Sequence, residues 1–380
     1  MRRTMRCAAL LLCLCLVLGT GAAALPAPPE ITAPSAVLFS SDGTMLYQKN
    51  AHEPLQPASV TKIMTMLLIM EAIDEGRLAW DEMVTASAYA ASMGGTQIFL
   101  QEGEQMTVED MFKSIVVASA NDAAVAMAEH LGGSEEGFVQ MMNERAAELG
   151  MEDSHFINAN GLDGDGEKTL TSAYDLALAS CELLKHETVK NYTSIWMDTV
   201  RNGQFGLANT NKMLKRYEGM TGLKTGYISQ AGYCISASAE RDGLELVAVI
   251  MAADTKENRM ADATALLNYG FANYQKIAPE VEGQIPPVPV RLGQSDSVQG
   301  VLGGDGALLL EKDQVGTIQQ RIEMEEELRA PVEQGQTIGR LTLESEGEVL
   351  LTVPIVAQQR VEALTLGQIY QSLWHGLLMR

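Results

Sequence analysis

Apolar residues occupy almost every position from Ile63 to Ile73: Met64, Met66, Leu67, Leu68, Ile69 and Met70 leave no polar face. That pattern predicts a helix over 59–75 buried at the centre of a domain, with Gly76 as its natural stop. Upstream, residues 36–48 alternate around Ser41-Asp42-Gly43 and read as a β-hairpin. Thr107 and Asp110 form a capping-box pattern that opens a helix over 108–117. Ser134 can cap another helix ending near Gly150, and Thr171 starts one that runs to about Leu184. Strand character returns over 220–253. There Gly222 to Gly226 precede Ala231 to Ala239, and Arg241-Asp242-Gly243 turns the chain into Leu244 to Ala252. A helix from about Asn258 to Tyr274 closes this part. Strands from both ends of the sequence around a helical middle make an α+β or mixed sandwich.

Beyond it Pro279, Pro286, Pro287 and Pro289 mark a linker or sheet edge. Short β-like pieces at 298–302, 307–310, 315–319, 337–343 and 348–356 alternate with glycine turns and predict a small all-β domain. The chain ends in an amphipathic helix over 363–380. Leu366, Ile369, Tyr370, Leu373, Trp374 and Leu377 share one face; Gln368, Gln371 and His375 lie opposite. The expected organisation is a leader at 1–24, a main domain at 25–277, the β-rich domain at 278–360 and the terminal helix at 361–380, since this length exceeds one compact core.

The leader follows from its order of residues. A basic start, Met1 to Arg6, precedes an apolar run from Cys7 to about Gly19 and the small residues Gly21 to Ala24. That is the layout of a secretory signal cut after Ala23 or Ala24; the run is short for a membrane-spanning helix. No cysteine follows the small residues, so a lipoprotein anchor is not expected. The formal charge is −22, and about −25 once the three leader arginines are gone. An acidic exported protein fits this balance, and a nucleic-acid binder, which needs a basic stripe, does not. Outside the leader only Cys181 and Cys234 remain, and both read as buried small hydrophobes rather than a bridge. The five histidines show no ligand spacing, and His155 beside Asp153 reads as structural. Asp163-Gly164-Asp165-Gly166 lacks the bidentate glutamate of a calcium loop and reads as a solvated turn. No metal or cofactor is expected.

Chemistry concentrates in three segments. Ser59 stands at the head of the buried helix with Lys62 one turn on, on the same face and within reach of the hydroxyl. A helix N-terminus favours developing negative charge. Lys62 can act as base if burial and a second cation lower its pKa, and Lys224 is the candidate for that cation. Ser119 falls between two helical stretches, where its hydroxyl can pass a proton to a leaving amine. Asn121 can hold Lys62 through its side-chain oxygen and a substrate amide through its nitrogen. In the third segment, Lys224-Thr225-Gly226, Thr225 offers a hydroxyl to a carboxylate, and Gly226 removes a side chain where a substrate strand approaches. The backbone N–H of Tyr227, paired with that of Ser59, would form an oxyanion hole. Read singly, Ser59 could be a helix cap and Ser119 and Asn121 turn residues.

In this order the three segments resemble the penicillin-binding and active-site-serine β-lactamase superfamily, with Ala120 where the usual middle motif has aspartate. Pro57 to Thr65, Ser119 to Ala124, Asn158 to Leu162 and Gly222 to Tyr227 are closer still to the low-molecular-mass D-alanyl-D-alanine carboxypeptidases. The resemblance covers about 33–275, and the β-rich tail with its terminal helix also fits. It implies a transpeptidase-like domain, an antiparallel sheet with a helical middle, ahead of the small all-β domain. It implies a peptidoglycan stem peptide ending in D-Ala-D-Ala as substrate, an acyl-enzyme on Ser59, and β-lactams as acylating inhibitors. Arg259 matches the family arginine that helps hold the terminal carboxylate; the local alternative is an ion pair with Asp254 or Asp262. The resemblance further implies peripheral contact of the terminal helix with the outer face of the cytoplasmic membrane. Other readings are a D,D-endopeptidase or transpeptidase, a β-lactamase with an unidentified deacylating acid, and a silent wall-binding protein.

Overall fold

The computed structural model describes residues 26–162, 166–281, 283–304 and 306–371. The leader at 1–24, most of the Asp163–Gly166 run and the last nine residues of the expected terminal helix lie outside the described residues. Positions 366–371 are helical.

The central sheet has five strands in the spatial order Met45–Lys49, Ser35–Ser40, Leu244–Ala253, Gly232–Arg241 and Met220–Ile228. Every pair is antiparallel. The expected early hairpin and late hairpin are therefore one sheet, joined where Val37 faces Val249 and Ala36 faces Ile250. Side chains of successive residues leave opposite faces of a strand, and here both faces are covered. Val37, Phe39, Val247, Val249 and Met251 enter the core shared with the buried helix. Ala36, Leu38, Leu246, Ala248 and Ile250 enter a second core under the helix Lys256–Asn273. Burial on both faces explains why these strands read as continuous apolar runs.

The apolar helix forms at Lys62–Asp74, preceded by a 3₁₀ turn, Ala58–Thr61. It is buried from Lys62 through Met70, as its lack of a polar face requires. Gly76 takes φ +72°, the left-handed turn that ends it. Thr107 and Ser134 cap as expected, accepting the N–H groups of Asp110 and Gly137. Two starts move slightly. Ser172, not Thr171, caps the helix Ala173–Leu184, and the last helix starts at Lys256, two residues before the expected Asn258, capped by Thr255 through a bond from the Asn258 N–H. The expected single helix over 108–117 divides into an α segment, Val108–Lys113, and a π turn, Ser114–Ala118.

A third core, around Val288, Ile338, Leu341 and Ile355, serves the tail. Its main sheet orders Gly300–Leu302, Glu348–Ala357, Thr337–Ser345 and Gln319–Met324. The 315–319 piece is a 3₁₀ turn, Val315–Thr317, before a strand that begins at Gln319. Val288–Arg291 is a strand despite Pro289, paired with Ser297–Val298 and Leu328–Arg329. Leu308–Glu311 pairs instead with Tyr274–Ile277 at the end of the last helix, which ties the tail to the main domain. Cys181 and Cys234 are both free and buried.

Candidate active site

The site gathers where the Ala58–Thr61 turn, the edge strand Met220–Ile228, the turn at Ser119 and the 158–162 segment meet. Two glycines allow the approach. A β-carbon on Gly226 would lie 2.5 Å from the Pro57 carbonyl oxygen and 3.0 Å from the Val60 nitrogen; one on Gly161 would lie 2.0 Å from the Ala58 carbonyl oxygen. The side chain missing at Gly226 is thus required by the protein's own Ser59 turn, a nearer cause than the approach of a substrate strand.

Lys62 is fully buried and carries the centre of the network. Its Nζ lies 3.0 Å from Ser59 Oγ, 2.6 Å from Asn121 Oδ1 and 2.7 Å from the Asn160 carbonyl oxygen. The two carbonyl oxygens can only accept. A neutral amine gives them its two hydrogens and keeps its lone pair for the Ser59 hydroxyl. Burial first, then the charge of Lys224, hold the Lys62 pKa well below the ordinary lysine value, and Asp122 opposes them.

Lys224 is buried one strand away. Its Nζ donates to Ser119 Oγ at 2.8 Å and to the Thr225 carbonyl at 2.9 Å. Burial and then the Arg259 charge lower its pKa to about 7. Ser119 reaches it through an unusual backbone: the π turn widens the helix end, Ser119 takes φ +65°, and the Ala120 N–H closes back on the Ser114 carbonyl at 3.1 Å. Single-turn π bulges cluster at functional sites. Asn121 then opens the helix Asn121–Gly132. Its oxygen serves Lys62, and its nitrogen donates to the Gly94 carbonyl at 2.8 Å, a protein partner that sequence reasoning had given to a substrate.

Thr225 Oγ1 donates to Thr210 Oγ1 at 2.7 Å. Arg259 is buried, donating Nη1 to the carbonyls of Cys234 at 3.1 Å and Gly226 at 3.4 Å. Its Nε has no partner, and its guanidinium lies 5.7 Å from the centre of the Tyr233 ring. Neither local acid pairs with it. Asp254 accepts Asn258 Nδ2, and Asp262 accepts the N–H groups of Thr32 and Ala33 and the Thr32 hydroxyl. Tyr227 stacks on Tyr233 at 4.3 Å and leaves its ring 54% exposed. Ser59, Lys62 and Asn121 thus form one hydrogen-bonded cluster and Ser119 and Lys224 a second beside it, with Thr225, Gly226, Tyr227 and Arg259 along the neighbouring strand edge.

Three contributors were not singled out from sequence. The Asn160 carbonyl is a backbone group with no side-chain signature. Its segment is built by Asx bonds from Asn158 Oδ1 to the N–H groups of Asn160 and Gly161, and braced by Thr65 on the Ala159 carbonyl and Glu135 on the Ala159 N–H. Asparagine flanking the glycine was the available signal. Thr210 carried none, and Asp122 only its place inside the Ser119–Ala124 resemblance. His155 is held by backbone bonds to Leu170, and the nearby Asp153 pairs with His52.

The sequence and the fold match known proteins. A family model described as D-alanyl-D-alanine carboxypeptidase matches residues 22–255, and one for the C-terminal domain of penicillin-binding protein 5 matches residues 274–363. D-alanyl-D-alanine carboxypeptidase DacF of Bacillus subtilis is 42% identical over 86% of this chain and 85% of its own length. The crystal structure of penicillin-binding protein 5 from Haemophilus influenzae is 29% identical, with TM-score 0.70 over 89% of this chain and 99% of that one. Penicillin-binding protein D2 of Listeria monocytogenes, solved with ampicillin bound, is 33% identical, with TM-score 0.57 over 65% of this chain and all of that one. By sequence across both regions, and by a fold that brings a serine and two buried amines together, the chain belongs to the serine D-alanyl-D-alanine carboxypeptidases.

Proposed function

We propose that Ser59 is the nucleophile and Lys62 the base that takes its proton. Ser59 Oγ bonds to the carbonyl carbon of the penultimate D-alanine as its proton passes to Lys62 Nζ. The C–N bond then breaks, and the leaving D-alanine amine receives a proton through Ser119 from Lys224. Water afterwards adds to the acyl carbon, giving one proton through Ser119 back to Lys224, and Lys62 returns its proton to Ser59 Oγ as the acyl C–O bond breaks and the product acid leaves. The backbone N–H groups of Ser59 and Tyr227 stabilise the oxyanion, and Asn121 orients Lys62. Thr225 and Arg259, with Thr210, receive the terminal carboxylate. The observation that carries this reading is the buried Lys62 Nζ, held by the Asn121 and Asn160 carbonyl oxygens 3.0 Å from the Ser59 hydroxyl, where burial and the Lys224 charge favour the neutral amine. The Arg259 Nε without a partner, with the local acids Asp254 and Asp262 bonded elsewhere, supports the carboxylate role.

The substrate in this reading is the stem peptide of peptidoglycan, and β-lactams acylate the same serine, as the ampicillin-bound relative supports. The leader layout supports export to the cell envelope. Among the described residues no helix is long and apolar enough to cross a membrane. Contact with the membrane surface through 361–380 is supported by Leu366 and Tyr370, which are 86% and 72% exposed. The boundaries 25–277 and 278–360 belong to the same reading, supported by the tail's separate core.

Release of D-alanine from a diacetyl-Lys-D-Ala-D-Ala peptide tests the activity. Fluorescent penicillin should label the wild type and not Ser59→Ala. A folded wild type that neither releases D-alanine nor takes the label overturns the reading, and rapid turnover of the drug would favour a β-lactamase.

A further inference from the structure

Asp122 follows Asn121 in the first turn of its helix and is fully buried. Its carboxylate accepts the backbone N–H of Ile98 at 3.1 and 3.2 Å, of Leu100 at 3.0 Å and of Ala123 at 2.9 Å. Asn121 ties to the same stretch: its N–H donates to the Thr96 carbonyl and its Nδ2 to the Gly94 carbonyl, both at 2.8 Å. Residues 94–100 are thereby laced to the start of the helix by the two neighbouring side chains and one backbone N–H.

The lacing holds a strained backbone. Phe99, between the Ile98 and Leu100 N–H groups that Asp122 accepts, takes φ +59° and is 63% exposed. A left-handed phenylalanine costs on the order of 1 kcal/mol and persists only where its surroundings over-determine it. The opposite edge is clamped too. Arg201 donates to the Ile98 carbonyl at 2.7 Å and the Phe99 carbonyl at 3.4 Å, and pairs with Glu104 at 2.6 Å. Little of this bonding buries Phe99; what it fixes is the stretch to which the Asn121 amide is tied.

We propose that Asp122 is a positioning residue for Lys62: by fastening residues 94–100 to the helix start, it fixes the Asn121 oxygen against which the amine is aimed. The inference rests on Lys62 acting as base. Asp122 also bears on the amine electrostatically. Lys62 faces Lys224 from the edge strand and Asp122 from the helix, while Ser59 and the Asn160 carbonyl are neutral partners. Lys224 pushes the amine towards its neutral form and Asp122 pulls it towards the charged one. Asparagine at 122 removes that pull and turns an NH₂ towards N–H donors.

The test measures the acylation rate by fluorescent penicillin across pH for wild type, Asp122→Asn and Arg201→Ala, with circular dichroism on each. Asp122→Asn should lower the plateau rate about tenfold and move the acid limb to lower pH. A merely structural role would leave the limb in place. Arg201→Ala, which loosens the same stretch without altering charge beside Lys62, should lower the plateau and leave the limb unmoved. An Asp122→Asn plateau equal to wild type, or an unmoved limb, overturns the proposal. If Asp122→Asn does not fold, Arg201→Ala decides: an unchanged plateau or a shifted limb overturns it. Failure of the wild type to acylate would instead overturn the base assignment.

Discussion

Gly161 faces the carbonyl oxygen of Ala58 with no room for a side chain: a β-carbon there would stand 2.0 Å away. The contact joins the segment that supplies the Asn160 carbonyl to the turn that carries Ser59. Gly161 also takes φ +77°. Gly161→Ala therefore adds a backbone penalty of about 1 kcal/mol to a clash that only displacement of the Ser59 turn can relieve. The expected result is a melting temperature lowered by more than about 3 °C, with a loss of penicillin acylation larger than the unfolded fraction explains. A scanning calorimetry trace and labelling rate matching wild type would refute it.

Lys62→Met keeps the length of the side chain and removes the lone pair. Acylation should fall by about 10²–10⁴-fold, the usual size of a lost general base, with circular dichroism unchanged. Lys62→Arg should be no better, because guanidinium stays protonated. Stopped-flow labelling of either variant at wild-type rate would remove Lys62 from the role of base.

Lys224 gives a pH signature with a definite sign. Its pKa is about 7 in the folded protein and near the ordinary 10.5 when unfolded. Between those values the unfolded chain binds the extra proton, so stability rises with pH over the window from about 7 to 10.5, and the burial cost is fully present below pH 7. Lys224→Met removes this dependence. The difference in melting temperature, variant minus wild type, should grow more positive from pH 9.5 to pH 6.5, while activity is lost. A difference that is flat or opposite in slope across that range contradicts the shift.

Arg259 offers a test by substrate chemistry. Arg259→Ala should cut kcat/KM on a D-Ala-D-Ala peptide by about tenfold or more, the scale of a lost charged hydrogen bond, mainly through KM. The same peptide with its terminal carboxylate amidated should be hydrolysed equally by variant and wild type. Equal losses on both peptides would place Arg259 in a structural role.

Much of this was legible in the sequence. Ser59, Lys62, Ser119, Asn121 and Lys224 stand in short contiguous motifs where residue type and spacing carry the chemistry. The paired apolar runs at 36–39 and 244–253 announced strands. What escaped reading has physical causes. The π turn before Ser119 leaves no mark in an apolar run such as Ile115-Val116-Val117, because the extra residue per turn changes hydrogen bonding and not composition. The Asn160 carbonyl is common to all residues. Asp122 looks like any first-turn helix acid until the fold lays residues 98–100 across it. The antiparallel pairs Met83–Thr85 with Gln105–Thr107 and Met197–Val200 with Phe205–Ala208 are too short for alternation to stand out.

The strand Ser35–Ser40 lies between Met45–Lys49 and Leu244–Ala253, and Thr32 bonds to Asp262 across 230 residues of chain. A polypeptide emerging from its N-terminus thus has Ser59 and Lys62 long before the strand bearing Lys224 arrives. Contacts so distant in sequence form slowly, since loop closure comes first. Acylating power would then appear late and all at once, when the chain's two ends zip together; a truncation short of residue 253 would be inert however much of its helical middle it retained.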